Sequence, residues 1–328
     1  MRVAFHISSS DVNGVAAIAL AWVESLAQHG SEDRYLLLSD RPIPLPTSDR
    51  ITVQLLPRRW VFLPFWADLI LYQKLKSFGA DLLVNTHSDQ PVYKRWPHTR
   101  VMPMASLISV DEMTGFLPSP RSEYTLLSAE KKHAVKEKWT GGREFMMLSG
   151  PHLSGTRLML VLQAFSIFKN RQQSGMRLVL PFSLSTLYPD LAKKIGTYKY
   201  RSSLVITENI SASEEAQLTG AAYALLSVGP PGSSLMSLMI AWRSAVPLLT
   251  IQEAAITALA GESALYAGAE TIESLAAVMM QIYKDEALRL QVIRNGQQRF
   301  SGLDTPTQTA TLRKALLKLA KPSPDLGA

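Results

Sequence analysis

Three short stretches of this 328-residue chain carry residues whose types and spacing could do chemistry. "SSSDVNG" (8–14) follows an apolar run and precedes a helical pattern, so Asn13 and Gly14 stand where free backbone amides and a helix dipole suit an anion. The same residues also suit plain capping of that helix. His87, Ser88 and Asp89 end a buried apolar run, where side chains reach the mouth of a sheet; an isolated His there can equally be packed or solvated. "GPHLSGTR" (150–157) places His152 and Arg157 at the entry to a long helix. Arg157 can meet a phosphate with its planar fork, or stand solvated in the first turn.

A fourth stretch offers the setting without the side chains. "LSVGPPGSSLMSLMIAW" (226–242) reads as the end of a buried strand, a tight turn and an apolar helix, yet it holds no Asp, Glu, His, Lys or Arg. Only the backbone amides at Gly232, Ser233 and Ser234 remain there to hold a ligand.

Much chemistry is absent. The chain has no cysteine, which excludes disulfides, thiolate metal sites and Cys nucleophiles. It has no G-x-G-x-x-G, no G-x-x-x-x-G-K-[ST], no H-E-x-x-H and no G-x-S-x-G, so P-loop, zinc-protease and serine-hydrolase readings lack support. No D-x-D is present either.

Hydrophobic residues make up 47% and charged residues 19%, which suits a folded globular chain. The net charge of +7 is spread rather than massed, so nucleic acid is not the expected partner. The opening "MRVAFHISSS" is too short an apolar run for a signal peptide, and no run of about 20 apolar residues suggests a membrane span. A cytoplasmic setting is expected. "PRRWVFLPFW" (57–66) mixes Arg with aromatics; it suits either peripheral contact at the inner membrane face or packing on the first sheet.

The elements that would position these residues alternate. Strand-like runs at 2–7, 34–39, 51–56, 81–87 and 99–110 are interleaved with helical patterns at 15–30 and 63–79; a third apolar run at 124–128 precedes a charged helix at 129–139. "TGGR" (140–143) breaks the pattern and sets the expected boundary, giving domains 1–142 and 143–328. The second half restarts: strands at 144–150, 176–182, 202–210, 223–228 and 245–251, with helices at 157–173, 211–222 and 233–243. Ser211 and Glu214 stand at capping-box spacing. Helices at 271–285, 286–300 and 305–320 follow, the last expected to pack back on the first domain. The fold class is therefore α/β: two doubly wound, Rossmann-like domains facing a cleft, with a helical C-terminus.

The order "LVLQAFSIF", "ASEEAQLTGAAYALLSV", "AVPLLT" and "LAGESALYAGAETIESLAAVMMQIYKDEALRLQVIRNGQQRF" resembles the donor domain of GT-B glycosyltransferases, most of all the retaining family GT4. "NGVAAIALAWVESLAQHG" and "YTLLSAEKKHAVKEKW" are similar to that family's first loop and helix and to the segment closing its first domain. The resemblance covers most of the chain. It implies a nucleotide-sugar donor bound by the second domain, a glycan or lipid-linked acceptor held by the first, transfer with retention, and no metal or resident cofactor. It also puts the family's Glu–seven residues–Glu pair at Gly232 and Ile240, its diphosphate-binding Arg and Lys at Pro151 and Thr156, a further Glu at Ala258 and an acceptor-side His at Ala105. All these side chains are missing. The resemblance therefore implies either a divergent transferase or a catalytically inactive relative that serves as partner or regulator of an active glycosyltransferase.

Overall fold

The computed structural model describes residues 1–7, 15–29, 32–39, 48–56, 64–86, 99–103, 120, 122–149, 153–208, 210–229, 233–303 and 305–320. The chain divides into two compact units, Met1–Ser119 with Asp304–Ala328, and Pro120–Leu303.

The first unit contains β1 (Arg2–Ile7), α1 (Val15–His29), β2 (Arg34–Ser39), β3 (Ile51–Leu55), α2 (Pro64–Phe78), β4 (Leu82–Asn85) and β5 (Arg100–Pro103). The five strands are parallel, in the order β3-β2-β1-β4-β5. β1, β2 and β4 are nearly continuous apolar runs because helices cover both faces of such a sheet.

The second unit contains α3 (Ala129–Thr140), β6 (Phe145–Leu148), α4 (Gly155–Gln172), β7 (Arg177–Leu180), α5 (Leu184–Leu187), α6 (Pro189–Ile195), β8 (Leu204–Ile206), α7 (Ala212–Ala221), β9 (Ala224–Ser227), α8 (Ser233–Ser244), β10 (Leu248–Ile251), α9 (Ala254–Ala260), β11 (Leu265–Ala267), α10 (Ile272–Lys284) and α11 (Glu286–Ser301). Its six strands are also parallel, in the order β11-β10-β9-β6-β7-β8. Numbered from β6, that is the doubly wound order 3-2-1-4-5-6. The core gathers Met146 and Leu148 of β6, Leu162, Phe165 and Phe168 of α4, and Leu275 and Met279 of α10.

α12 (Thr305–Ala320) returns to the first unit. Ser25 of α1 and Thr309 of α12 share a buried hydroxyl contact, and Arg313 donates to both carboxylate oxygens of Asp33.

The boundary differs from the sequence reading, and two details add to it. The division falls at Ser119/Pro120 rather than at residue 142, because α3 belongs to the second unit: Lys138 bridges to Glu214 of α7 at 2.9 Å. The apolar run at 124–128 is not part of a strand, and Arg243 donates to Tyr124 O at 2.7 Å. The largely helical region after β10 also contains β11, a three-residue edge strand too short to show periodicity. The capping box at Ser211 and Glu214 is present as expected.

Candidate functional site

Strand order decides where a ligand can sit. β6 lies between β7 and β9, so the chain leaving β6 turns one way across the sheet and the chain leaving β9 turns the other. In doubly wound sheets, ligands bind at the carboxyl edge beside such a reversal. β1, between β2 and β4, makes the same reversal in the first unit.

The nominated residues flank these reversals in sequence. Asn13 and Gly14 follow β1, His87, Ser88 and Asp89 follow β4, His152 follows β6, and Gly232 follows β9; all seven lie outside the described residues, as do Ala105, Pro151 and most of the 57–66 stretch. Arg157, Ser234 and the helical backbone of Ser233 are described.

Arg157 sits in the first turn of α4, whose N-cap Ser154 accepts a hydrogen bond from the Arg157 backbone N–H at 3.2 Å. Its guanidinium is already engaged. Nε donates to Glu270 Oε1 at 2.7 Å and Nη2 to Oε2 at 3.0 Å, a two-point fork. The Arg side chain is 23% exposed and the Glu 41%. Glu270 lies just before Thr271, the N-cap of α10, and α10 packs along α4. The ion pair thus joins the entries of two packed helices.

Ser234 turns its hydroxyl inward. The residue is 1% exposed, and its Oγ accepts from Ser227 Oγ at 3.2 Å and from Thr250 Oγ1 at 3.2 Å. Ser227 ends β9 and Thr250 lies in β10, so this hydroxyl seam stitches α8 onto the carboxyl ends of two strands. Ser237, one turn on, meets Ser149 beyond the end of β6, with the hydroxyls 2.8 Å apart. Ser149 N–H in turn donates to Leu226 O at 2.8 Å. The start of α8 is therefore held by paired hydroxyls, and the backbone at Ser233 and Ser234 opens the helix at the reversal.

Of the positions where the resembling family carries charge, Thr156 and Ala258 are exposed and Ile240 is half-buried. None supplies a carboxylate or a cation.

The sequence reading missed two contributors. Tyr188, between α5 and α6, donates its hydroxyl to Leu153 O at 2.7 Å and accepts from Leu153 N–H at 3.2 Å, fixing the approach to α4. Burial pushes its phenol above the ordinary value, against the hydrogen bond to Leu153. No local pattern marks this Tyr, because its partner lies 35 residues away. Glu253 lies two residues past β10, the strand beside β9, and its carbonyl accepts from Thr257 N–H at 2.8 Å as α9 begins. It is the nearest acidic residue along the chain to that strand end. Its signal was the strand-end position itself.

Among the described residues, no three His, Asp or Glu side chains gather as a metal set, and no helix is long and apolar enough to cross a membrane.

Compared with known proteins, the chain matches no protein-family sequence model and no curated protein by sequence. It is similar in structure to WaaG, a glycosyltransferase involved in lipopolysaccharide biosynthesis, at 12% identity and TM-score 0.69, covering 95% of this chain and 99% of that one. It is also similar to Anabaena HepE in complex with UDP-glucose, at 11% identity and TM-score 0.65, covering 97% and 100%. S. aureus MnaA bound to UDP matches at 11% identity and TM-score 0.60, covering 99% and 100%. The fold is that of the GT-B glycosyltransferases.

Proposed function

We propose that this chain binds a nucleotide-sugar donor at the carboxyl edge of its second sheet and transfers the sugar with retention, as a divergent relative of family GT4. The observation that carries this reading is the reversal of strand order between β6 and β9, with α4 and α8 both starting there. UDP and UDP-glucose accompany two of the similar structures, MnaA and HepE.

In this reading the backbone amides at Gly232, Ser233 and Ser234 hold the diphosphate, with His152 and Arg157 as further donor-site candidates, and Asn13 and Gly14 as a candidate anion-binding turn of the first unit. His87, Ser88 and Asp89 face the acceptor, a glycan or a lipid-linked sugar. The leaving diphosphate gains negative charge in the transition state, and fixed donors must meet it. Each missing cation costs about 10²–10³-fold in rate by analogy with a deleted oxyanion donor. A slow enzyme is expected.

A second reading, a non-catalytic partner or regulator of an active glycosyltransferase, is favoured by one specific observation. Arg157, the nominated cation, is neutralised by Glu270.

Titration calorimetry with UDP, UDP-glucose and GDP-mannose, with mass-spectrometric detection of released sugar, tests both. Binding with slow sugar release is the expected result. Binding without release, together with co-purification of an active transferase, selects the partner reading. Absence of heat with every nucleotide overturns donor binding.

A further inference from the structure

We infer that the Arg157–Glu270 pair is a built-in anion gate: Glu270 occupies the phosphate-binding fork of Arg157 and must be displaced when a nucleotide diphosphate enters. This rests on the donor-site reading above and adds the regulation of that site.

The geometry carries the argument. A guanidinium fork binds a carboxylate and a phosphate in the same way, through two parallel N–H···O bonds. Here both bonds go to one carboxylate, at 2.7 and 3.0 Å. The fork cannot serve Glu270 and a phosphate in that geometry at once. Arg157 lies in the first turn of α4, the helix that follows β6, the strand at which the order reverses, so the donor reading sets the engaged fork beside the diphosphate. Glu270 lies in the short segment between β11 and α10, and it is the more exposed partner. That segment is fixed on both sides of Glu270 rather than by it. Ala269 N–H donates to Ser274 Oγ at 3.3 Å, and Thr271 caps α10 by accepting from Ser274 N–H at 3.2 Å. The carboxylate can therefore swing away without unravelling α10, while Arg157 stays anchored on α4.

A gate of this kind weakens the intrinsic affinity by the stability of the closed state, which a first ligand or a mutation removes. The test is UDP titration of the full chain as wild type, Glu270→Gln, Arg157→Gln and the double variant, each checked by thermal melting. Gln keeps the size of Glu and removes the charge that holds the fork closed. The expected result is UDP binding about 5–20-fold tighter in Glu270→Gln, the range of a modest coupling between two states. Arg157→Gln and the double variant should both bind weakly, so that the gain disappears when the fork is absent. Equal UDP affinity in wild type and Glu270→Gln overturns the gate and leaves the donor site standing. A gain that persists in the double variant also overturns it, since the effect would then be general loss of negative charge. Absence of UDP binding in both wild type and folded Glu270→Gln overturns the donor reading and the gate with it.

Discussion

Gly296 of α11 lies directly against the indole of Trp242 on α8: a methyl group added at 296 would fall 2.5 Å from Cδ1 of that ring. Trp242 is 3% exposed and donates its indole N–H to Ser263 Oγ at 3.1 Å, so the ring cannot shift without breaking a buried hydrogen bond. The helix that opens the candidate site is thus braced from behind by a glycine-sized gap. Gly296→Ala gains helix propensity, worth about 1 kcal/mol. The overlap with a fixed ring outweighs it, since overpacking costs about 1–3 kcal/mol and sometimes more. A net loss of up to about 2 kcal/mol is expected in urea unfolding; a variant more stable than wild type would show that α11 and α8 are loosely packed.

Arg243, beside Trp242, faces the other way. Its Nε donates to Tyr124 O at 2.7 Å and Nη1 to Pro120 O at 3.0 Å. It thereby straps the first residues of the second unit onto α8. Arg243→Met keeps most of the stem and removes both donors. A loss of about 1–3 kcal/mol is expected, as for hydrogen bonds from a charged group. Limited proteolysis should cut this variant at residues 120–128 well before wild type. Unchanged cleavage would mean that the strap is held elsewhere.

The legible part of this fold was the part written in local patterns. β1, β2, α7 with its capping box and α12 are each fixed by neighbouring residues: apolar runs, a Ser–Glu pair, a helical period. The unit boundary was not legible, because the allegiance of α3 depends on Lys138 meeting Glu214, 76 residues away. The same limit hid the candidate site's real state. The sequence marks Arg157 as a phosphate ligand, but its partner Glu270 stands 113 residues on and belongs to no shared motif. Ser234 was legible as a turn residue, whereas the inward turn of its hydroxyl depends on Ser227 and Thr250.

Acid should loosen both units through carboxylates held in charged form. Glu214 is lowered from an ordinary 4.5 to about 2 by the Ser211 backbone N–H first, then by Lys138 and the Ser211 hydroxyl. Burial of Asp33 would raise its value, but Arg313 and the amino group of Met1 together hold it below the ordinary 3.8. Both folded values lie below the unfolded ones, so the unfolded chain binds more protons as pH falls. Their stabilisation is complete above about pH 5 and is lost progressively as the pH falls through the folded values. Urea midpoints should hold steady from pH 7 to 5 and drop steeply below 4. Asp33→Asn should flatten part of that drop, and its failure to do so would remove Asp33 from the acid response.

The hydroxyl seam under α8 separates stability from binding at the candidate site. Ser227 and Thr250 both donate to Ser234 Oγ, and all three residues are 2% exposed or less. Ser234→Ala strands two buried donors, at about 1–3 kcal/mol for each. Yet a side chain pointed into the sheet has no oxygen to offer a ligand at the carboxyl edge, where only the backbone amide of Ser234 faces a phosphate in the proposed reading. Ser234→Ala should therefore lower the melting temperature and leave the UDP dissociation constant of the folded fraction within about two-fold of wild type, well under one hydrogen bond's worth. Ser234→Pro, which removes the amide and fixes a backbone angle compatible with a first helical turn, should weaken UDP binding by about ten-fold or more, as the loss of a charge-assisted hydrogen bond requires. A large loss of affinity in Ser234→Ala would place the hydroxyl on the ligand, and equal binding in Ser234→Pro would take the helix amides out of the site.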